Sequence, residues 1–343
     1  MRPPLVRGST PSAADESPTP DRIRMTFHPF IAVTDPTWYA FLSSLRDQRQ
    51  RVDEVNFWNP KGLPLKGFGL GAPVFLRLKH PRNVIAGYGF FAHFTRLRLD
   101  EAWECFGEKN GAPNFVELAR LLAPRFGLSV SSILRDPPTI GCTILRDAVF
   151  WEERRWIPWG VSSGWHPNVV RGATEHDPDR ASRLLAEIHD DHLDRPPELV
   201  QAFRLREVDE RRVVVASATQ REGQGTFRAV LLDAYGRRCA ITGERTEPVL
   251  DAAHIQPYLG PASNHVQNGV LMTKEFHKLF DLGYVGITPE LQVRISPRLR
   301  EEWKNGRRYY VYDRQNLVQV PADPAKEPSR EALAWHLERQ FRA

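Results

Sequence analysis

Residues 251–257 read DAAHIQP, and residues 264–283 read NHVQNGVLMTKEFHKLFDLG. A lone histidine beside apolar residues is most often a satisfied structural group, so His254 gains meaning only from what surrounds it. PVLDAAHI reads as a strand entering a loop, VLM as a second strand, and TKEFHKLFD as a helix capped by Thr273. Asn268 lies 14 positions after His254, His277 lies nine after Asn268, and Asp281 four after His277. Residues four apart share a helix face, so His277 and Asp281 can point at one ion if the helix extends that far. A β-hairpin followed by a helix sets His254 on the hairpin and His277 on the helix facing it.

The tokens CAITG at 239–243, AAHIQP at 252–257, NGVL at 268–271 and HKLFDLG at 277–283, in this order and with these gaps, resemble the HNH nuclease family. The resemblance covers about residues 225–300 and implies a ββα-metal fold and hydrolysis of phosphodiesters. Such hydrolysis needs a deprotonated water, and an imidazole titrating near pH ~6.5 can take that proton. The family pattern makes His254 the general base and His277 a metal ligand. Asn268 would hold the loop, since an amide both donates and accepts hydrogen bonds. The implied cofactor is a divalent cation, magnesium first, with manganese or nickel as alternatives. It would stabilise charge developing on the phosphate and leaving oxygen.

One position departs from the family. Many members carry Asp or His directly before the general base, whereas this chain has Ala253, which cannot ligate. Asp251 or Asp281 would then supply an oxygen, or His277 would hold the ion with water and phosphate. Asp251 shares the strand face of Ala253 and reaches the site from further down. Cys239 stands alone, so no structural zinc is expected. Arg237, Arg238, Lys274 and Lys278 flank the site and suit phosphate contacts, which carry no sequence information.

Upstream, residues 25–175 hold short apolar runs bounded by Gly, Pro or polar residues: HPFIAV, DEVNFW, APVFLRL, VIAGYGFF, IGCTIL and AVFW. These are strand signals. Helical patterns follow Asp35 and, at DEAWECFGEKNG, a cap at Asp100 with a stop at Gly107. The segments FWNP at 57–60, KGFGLG at 66–71 and GYGFF at 87–91 resemble PUA-like folds, which include the SRA and EVE readers of modified bases. Aromatics beside glycine-rich turns suit a slot for a flipped base, in which a ring stacks and polar groups read the edge. The pocket candidates are Trp38, Asn56, Trp58, Lys66 and Phe90. Trp151, Trp156, Trp159 and Trp165 extend the aromatic series.

The bulk numbers agree. With 343 residues, two or three domains are expected. No apolar run is long enough for a transmembrane helix, so no membrane partner is expected. Cys105, Cys142 and Cys239 lack CxxC spacing, which fits a reducing, cytoplasmic compartment. A net charge of +5 is compatible with a polyanionic partner. Residues 1–24 lack the apolar segment of a secretory signal and read as a disordered leader, with Met25 at the start of the folded part. Residues 176–213 form a charged helical connector stopped by Arg195-Pro196-Pro197. Its His189, Asp190, Asp191 and His192 read as solvated surface, with metal binding as the alternative.

The expected fold is α+β. A PUA-like curved sheet or barrel (25–175) reads the nucleic acid, the connector (176–213) follows, and a ββα-metal nuclease (214–343) cuts. The implied activity is a modification-dependent DNA endonuclease acting on double-stranded DNA with a modified base. A homodimer would be needed to cut both strands. The alternatives are a sequence-specific HNH restriction enzyme, and a non-catalytic nucleic-acid-binding protein with a decayed nuclease.

Overall fold

The computed structural model describes residues 28–46, 51–160, 163–165, 172–191, 203–206 and 222–343. The expected leader, the Arg195-Pro196-Pro197 stop, His192 and the expected junction at 213/214 lie outside the described residues.

The apolar runs of the N-terminal half become strands. They are β1 (Phe30–Thr34), β2 (Arg51–Asn59), β3 (Pro73–Leu78), β4 (Val84–Arg98) and β5 (Thr139–Phe150), with β6 (Ile157–Pro158) and β7 (Ala173–Thr174). They form a sheet ordered β2-β5-β4-β3-β1-β7, with β6 pairing to β4. β1 and β3 run parallel, and the other pairs are antiparallel. The IGCTIL and AVFW runs, expected as separate strands, are one 12-residue strand. Register slips at Tyr88/Phe90 and Phe91/His93 bend the β4–β5 ribbon. The sheet does not close into a barrel, because β2 and β7 end the path without pairing.

Helix α1 (Pro36–Ser44) starts at Asp35, whose Oδ1 accepts from Thr37 N (2.8 Å) and Trp38 N (3.2 Å). Helix α2 (Leu99–Phe106) begins before the expected cap. Its N-cap is Arg98, whose N–H donates to Glu101 Oε2 at 2.9 Å, while Asp100 sits inside the first turn. Gly107 stops it as expected. Helices α3 (Phe115–Phe126) and α4 (Val130–Arg135) add to this layer, α3 burying Leu118, Ala119, Leu122 and Ala123.

The sheet is covered on both faces. One cluster joins Trp38, Val55, Leu76 and Ile144 to α2, α3 and residues of the C-terminal half. The other gathers Ile31, Phe75, Tyr88, Trp151 and Trp159 under Leu184 of α5 (Pro178–Asp190). The connector helix is thus seated on the sheet. Asp191 just beyond it accepts from Trp151 Nε1 (3.1 Å) and Arg155 Nη1 (2.6 Å), so this carboxylate has a structural role.

The C-terminal half runs α6 (Gln224–Ala234), β8 (Leu250–His254), β9 (Gly269–Thr273), α7 (Lys274–Asp281), β10 (Val285–Ile287), β11 (Val293–Ile295), α8 (Arg298–Trp303) and α9 (Arg330–Arg339). CAITGE, expected as a strand and turn, is a turn only, with Gly243 N returning to Cys239 O at 3.0 Å. Strands β8 and β9 pair antiparallel with His254 opposite Gly269, and β10 pairs with β11. Gly269 allows α6 to lie close on the hairpin: a Cβ there would stand 2.5 Å from Leu231 Cδ1 and 2.7 Å from Phe227 Cζ. No described helix is long and apolar enough to cross a membrane.

Candidate active site

The hairpin and α7 bring the sequence-predicted residues together. His254 ends β8 and is 9% exposed. Its ring stacks on Phe227 of α6, with centroids 4.1 Å apart and planes 13° from parallel. Nε2 lies 2.9 Å from Asn264 Oδ1. The Asn264 amide is oriented by its own donation to Glu222 O (2.6 Å), so His254 Nε2–H is the donor to Oδ1. Phe227 and Asn264 therefore fix both the plane and the rotation of the imidazole.

Asn268 is fully buried and makes three hydrogen bonds. Its Oδ1 accepts from Gln256 N (2.9 Å), and its Nδ2 donates to Gln256 O (3.0 Å) and Ser263 O (2.9 Å). One amide thus clamps both ends of the loop after His254. The backbone adds Ile255 N to Asn268 O at 2.9 Å.

His277 lies on α7, which reaches Asp281. Its two ring nitrogens face different carboxylates: Nδ1 is 2.7 Å from Asp251 Oδ2, and Nε2 is 3.5 Å from Asp281 Oδ2. Burial opposes protonation of this imidazole, but the hydrogen bonds and charges of Asp251 and Asp281 outweigh it and raise its pKa to about 9. Burial likewise opposes ionisation of Asp251, yet His277 and Arg228 hold its carboxyl below the usual range. Arg228 of α6 donates to Leu250 O (2.8 Å) and reaches Asp251 Oδ1 (3.3 Å).

His254, Tyr258, His277 and Asp281 line one cleft of about 180 Å³. His336 of α9 and Gln340, which caps that helix, complete its wall, and sequence reasoning missed them because nothing in the spacing of a terminal amphipathic helix ties it to the hairpin. His336 stacks on Phe280 at 3.8 Å, and burial pushes it down to about 4, which keeps it neutral.

The donor chemistry here fits a divalent cation sparsely. Imidazole binds a metal through one nitrogen while the other commonly contacts a carboxylate that fixes the ring. With Asp251 on Nδ1, His277 would offer Nε2, beside which stands Asp281, once an incoming cation displaces the proton that the two carboxylates favour there. Two protein donors suit a hard cation that keeps water and takes up phosphate oxygens. Among the described residues no group of three or more His, Cys, Asp or Glu side chains is arranged to hold a metal by itself.

The remaining candidates are placed differently. Trp38, Asn56 and Trp58 do meet, but inside the core. Trp38 Nε1 donates to Asn56 O (3.1 Å), Asn56 Nδ2 to Asn110 Oδ1 (2.9 Å) and Trp58 Nε1 to Asn110 O (2.9 Å). Phe90 belongs to the other cluster, and Lys66 is exposed. These five do not converge on a slot. Buried donors on the Phe90 face include Arg77 Nη1 and Trp159 Nε1, neither with a hydrogen-bond partner. Of the phosphate candidates, Lys274 and Lys278 are exposed on α7 and Arg238 is half-buried. Arg237 is engaged with Glu247 Oε2 (2.5 Å) and Arg96 O (2.5 Å).

Residues 239–288 match the family model described as HNH endonuclease. No curated protein matches the chain. Among solved structures, ASCH from Zymomonas mobilis aligns at 9% identity over 46% of this chain and 94% of its own, with a TM-score of 0.32. The modification-dependent TagI restriction endonuclease aligns at 15% identity over 61% of this chain and 49% of its own, with a TM-score of 0.25.

Proposed function

We propose that this protein is a divalent-cation-dependent DNA endonuclease, and that its N-terminal sheet domain restricts cutting to DNA carrying a modified base. The observation that carries the nuclease reading is the shared cleft of His254 and His277, built on a hairpin and helix inside the stretch that matches HNH endonucleases. In this reading His254 accepts a proton from water as the water oxygen attacks phosphorus and the P–O3′ bond breaks. Phe227 and Asn264 hold the imidazole still, and Asn268 keeps the loop from carrying it away. His277 and Asp281 would hold the cation, and Asp251 would orient His277 from behind. The bound cation would neutralise charge on the phosphate and on the departing oxygen. Lys274 and Lys278 would meet neighbouring phosphates. Cutting both strands would take two such sites, hence a homodimer.

The modification dependence is supported by the resemblance of FWNP, KGFGLG and GYGFF to PUA-like readers. It is tested by digesting matched plasmids with and without modified cytosine, in magnesium or manganese and in chelator. Cutting only of modified DNA, only with cation, and not by His254→Ala is the expected pattern. Equal cutting of both plasmids would leave a sequence-specific nuclease. Cutting by His254→Ala at the wild-type rate would remove the active site from this cleft.

A further inference from the structure

We propose that Asp53 and Glu54, on strand β2 of the N-terminal sheet, are positioning residues for His254. This rests on the nuclease reading above. Helix α6 has Gly223 at its N-cap, at φ 74°, with no side chain to satisfy the first free N–H groups. The sheet supplies the missing cap. Glu54, only 1% exposed, accepts from Gly225 N at Oε1 (2.9 Å), and from Thr226 N (2.8 Å) and the Thr226 hydroxyl (2.5 Å) at Oε2. Asp53 Oδ2 accepts from Gly223 N at 2.8 Å. Lys109 Nζ joins both carboxylates, at 2.8 Å from Asp53 and 3.3 Å from Glu54. Two carboxylates at the positive end of a helix, one of them buried, make a directional anchor.

Two routes lead from this anchor to His254. Phe227, directly after Thr226, carries the stacked ring. Glu222, directly before Gly223, accepts from Asn264, which in turn accepts from His254 Nε2. A shift of the α6 N-terminus relative to β2 therefore moves both groups that set the plane and rotation of the imidazole. Neither Asp53 nor Glu54 lines the cleft, so their effect on cutting passes through α6. The sheet domain is thus part of the scaffold of the active site, and displacement of β2 is transmitted to His254.

The test is steady-state cleavage of a modified duplex by the full chain bearing Glu54→Gln, Phe227→Leu, or both. The amide of Glu54→Gln keeps the shape but cannot accept at both positions. The expected result is a kcat roughly 10-fold to 100-fold lower, since a small misplacement has that cost, with KM for DNA unchanged. In the Phe227→Leu background the same change costs much less, because one of the two routes is already broken. Full kcat in Glu54→Gln, a raised KM with kcat intact, or equal cost in both backgrounds would overturn the proposal. Should Glu54→Gln fail to fold, Asp53→Asn removes charge from the second, less buried anchor, and a folded protein with wild-type kcat would overturn it equally. If the wild-type chain cuts nothing, or His254→Ala cuts as well as wild type, the nuclease reading has failed and takes this inference with it.

Discussion

At the residue scale, Asn268 and His254 differ in what they hold. Asn268 has no access to solvent and clamps a loop with three hydrogen bonds. Asn268→Ala leaves Gln256 and Ser263 backbone groups unsatisfied, which costs about 2–4 kcal/mol. Thermal melting is expected to show that loss, with a fall in cutting rate. His254→Ala removes the imidazole itself. If His254 is the general base as proposed, cutting should drop by roughly 10²-fold to 10⁴-fold, with melting affected far less. The placement of these two residues and His277 on one hairpin and helix was legible because all three lie in one short stretch whose order and gaps resemble the HNH pattern, and the roles proposed for them come from that resemblance. Asn264 sits four positions before Asn268 in the same stretch, and the motif does not distinguish it as a contact of the imidazole. Glu54 was illegible: its partners Gly225 and Thr226 lie more than 170 positions away, and nothing local marks a buried carboxylate as a cap.

At the scale of elements, the close seating of α6 on β9 depends on Gly269. Gly269→Ala would press a methyl against Leu231 and Phe227, and overpacking of this kind costs about 1–3 kcal/mol. A lowered denaturation midpoint with slower cutting is expected, because Phe227 is the residue displaced. The contact of α2 with the turn before β8 is pH-sensitive. Burial and the neighbouring Glu247 raise the pKa of Glu101 to about 7, against an ordinary value of 4.5, although Arg237 acts in the opposite sense. The folded protein therefore keeps a proton that the unfolded chain releases. Stability from this contact is full below about pH 4.5 and is lost as pH rises through 7. Glu101→Gln should flatten that dependence and be the more stable protein at pH 8, by on the order of 1 kcal/mol. Denaturation of both at pH 5 and pH 8 checks it. The strands were read well because apolar runs between glycines and prolines mark them. Two strand runs merged into β5, since pairing with the long β4 outweighs the local break at Asp147, which adopts φ 48°. The cap of α2 fell at Arg98 because Glu101 reaches back to that backbone N–H, a contact that Asp100 as a cap would not make.

At the scale of the molecule, Lys274 and Lys278 are exposed on α7, the helix that carries His277, and under the proposed function they would give DNA binding an ionic component. Affinity for DNA should fall linearly on a log–log plot against salt, and Lys274→Ala with Lys278→Ala should reduce the slope by roughly 2 if each meets a phosphate. Equilibrium binding at several salt concentrations in chelator separates this from catalysis. Aromatic residues among glycines were read as the makings of a base slot, but composition does not say which face a ring takes. Trp38 and Trp58 went to one core cluster and Phe90 to the other.

The capping of α6 by β2 also decides how such a protein can be rebuilt. Composition alone would put the seam for exchanging the N-terminal half at the connector, where the sequence changes character. A chimera joined there would leave the N–H groups of Gly223, Gly225 and Thr226 without their carboxylates, so α6 would lose the anchor at its N-terminus. A graft that exchanges α6 together with the sheet, with the seam in the Tyr235–Arg237 turn, keeps the anchor intact, provided Phe227 and Arg228 travel in kind.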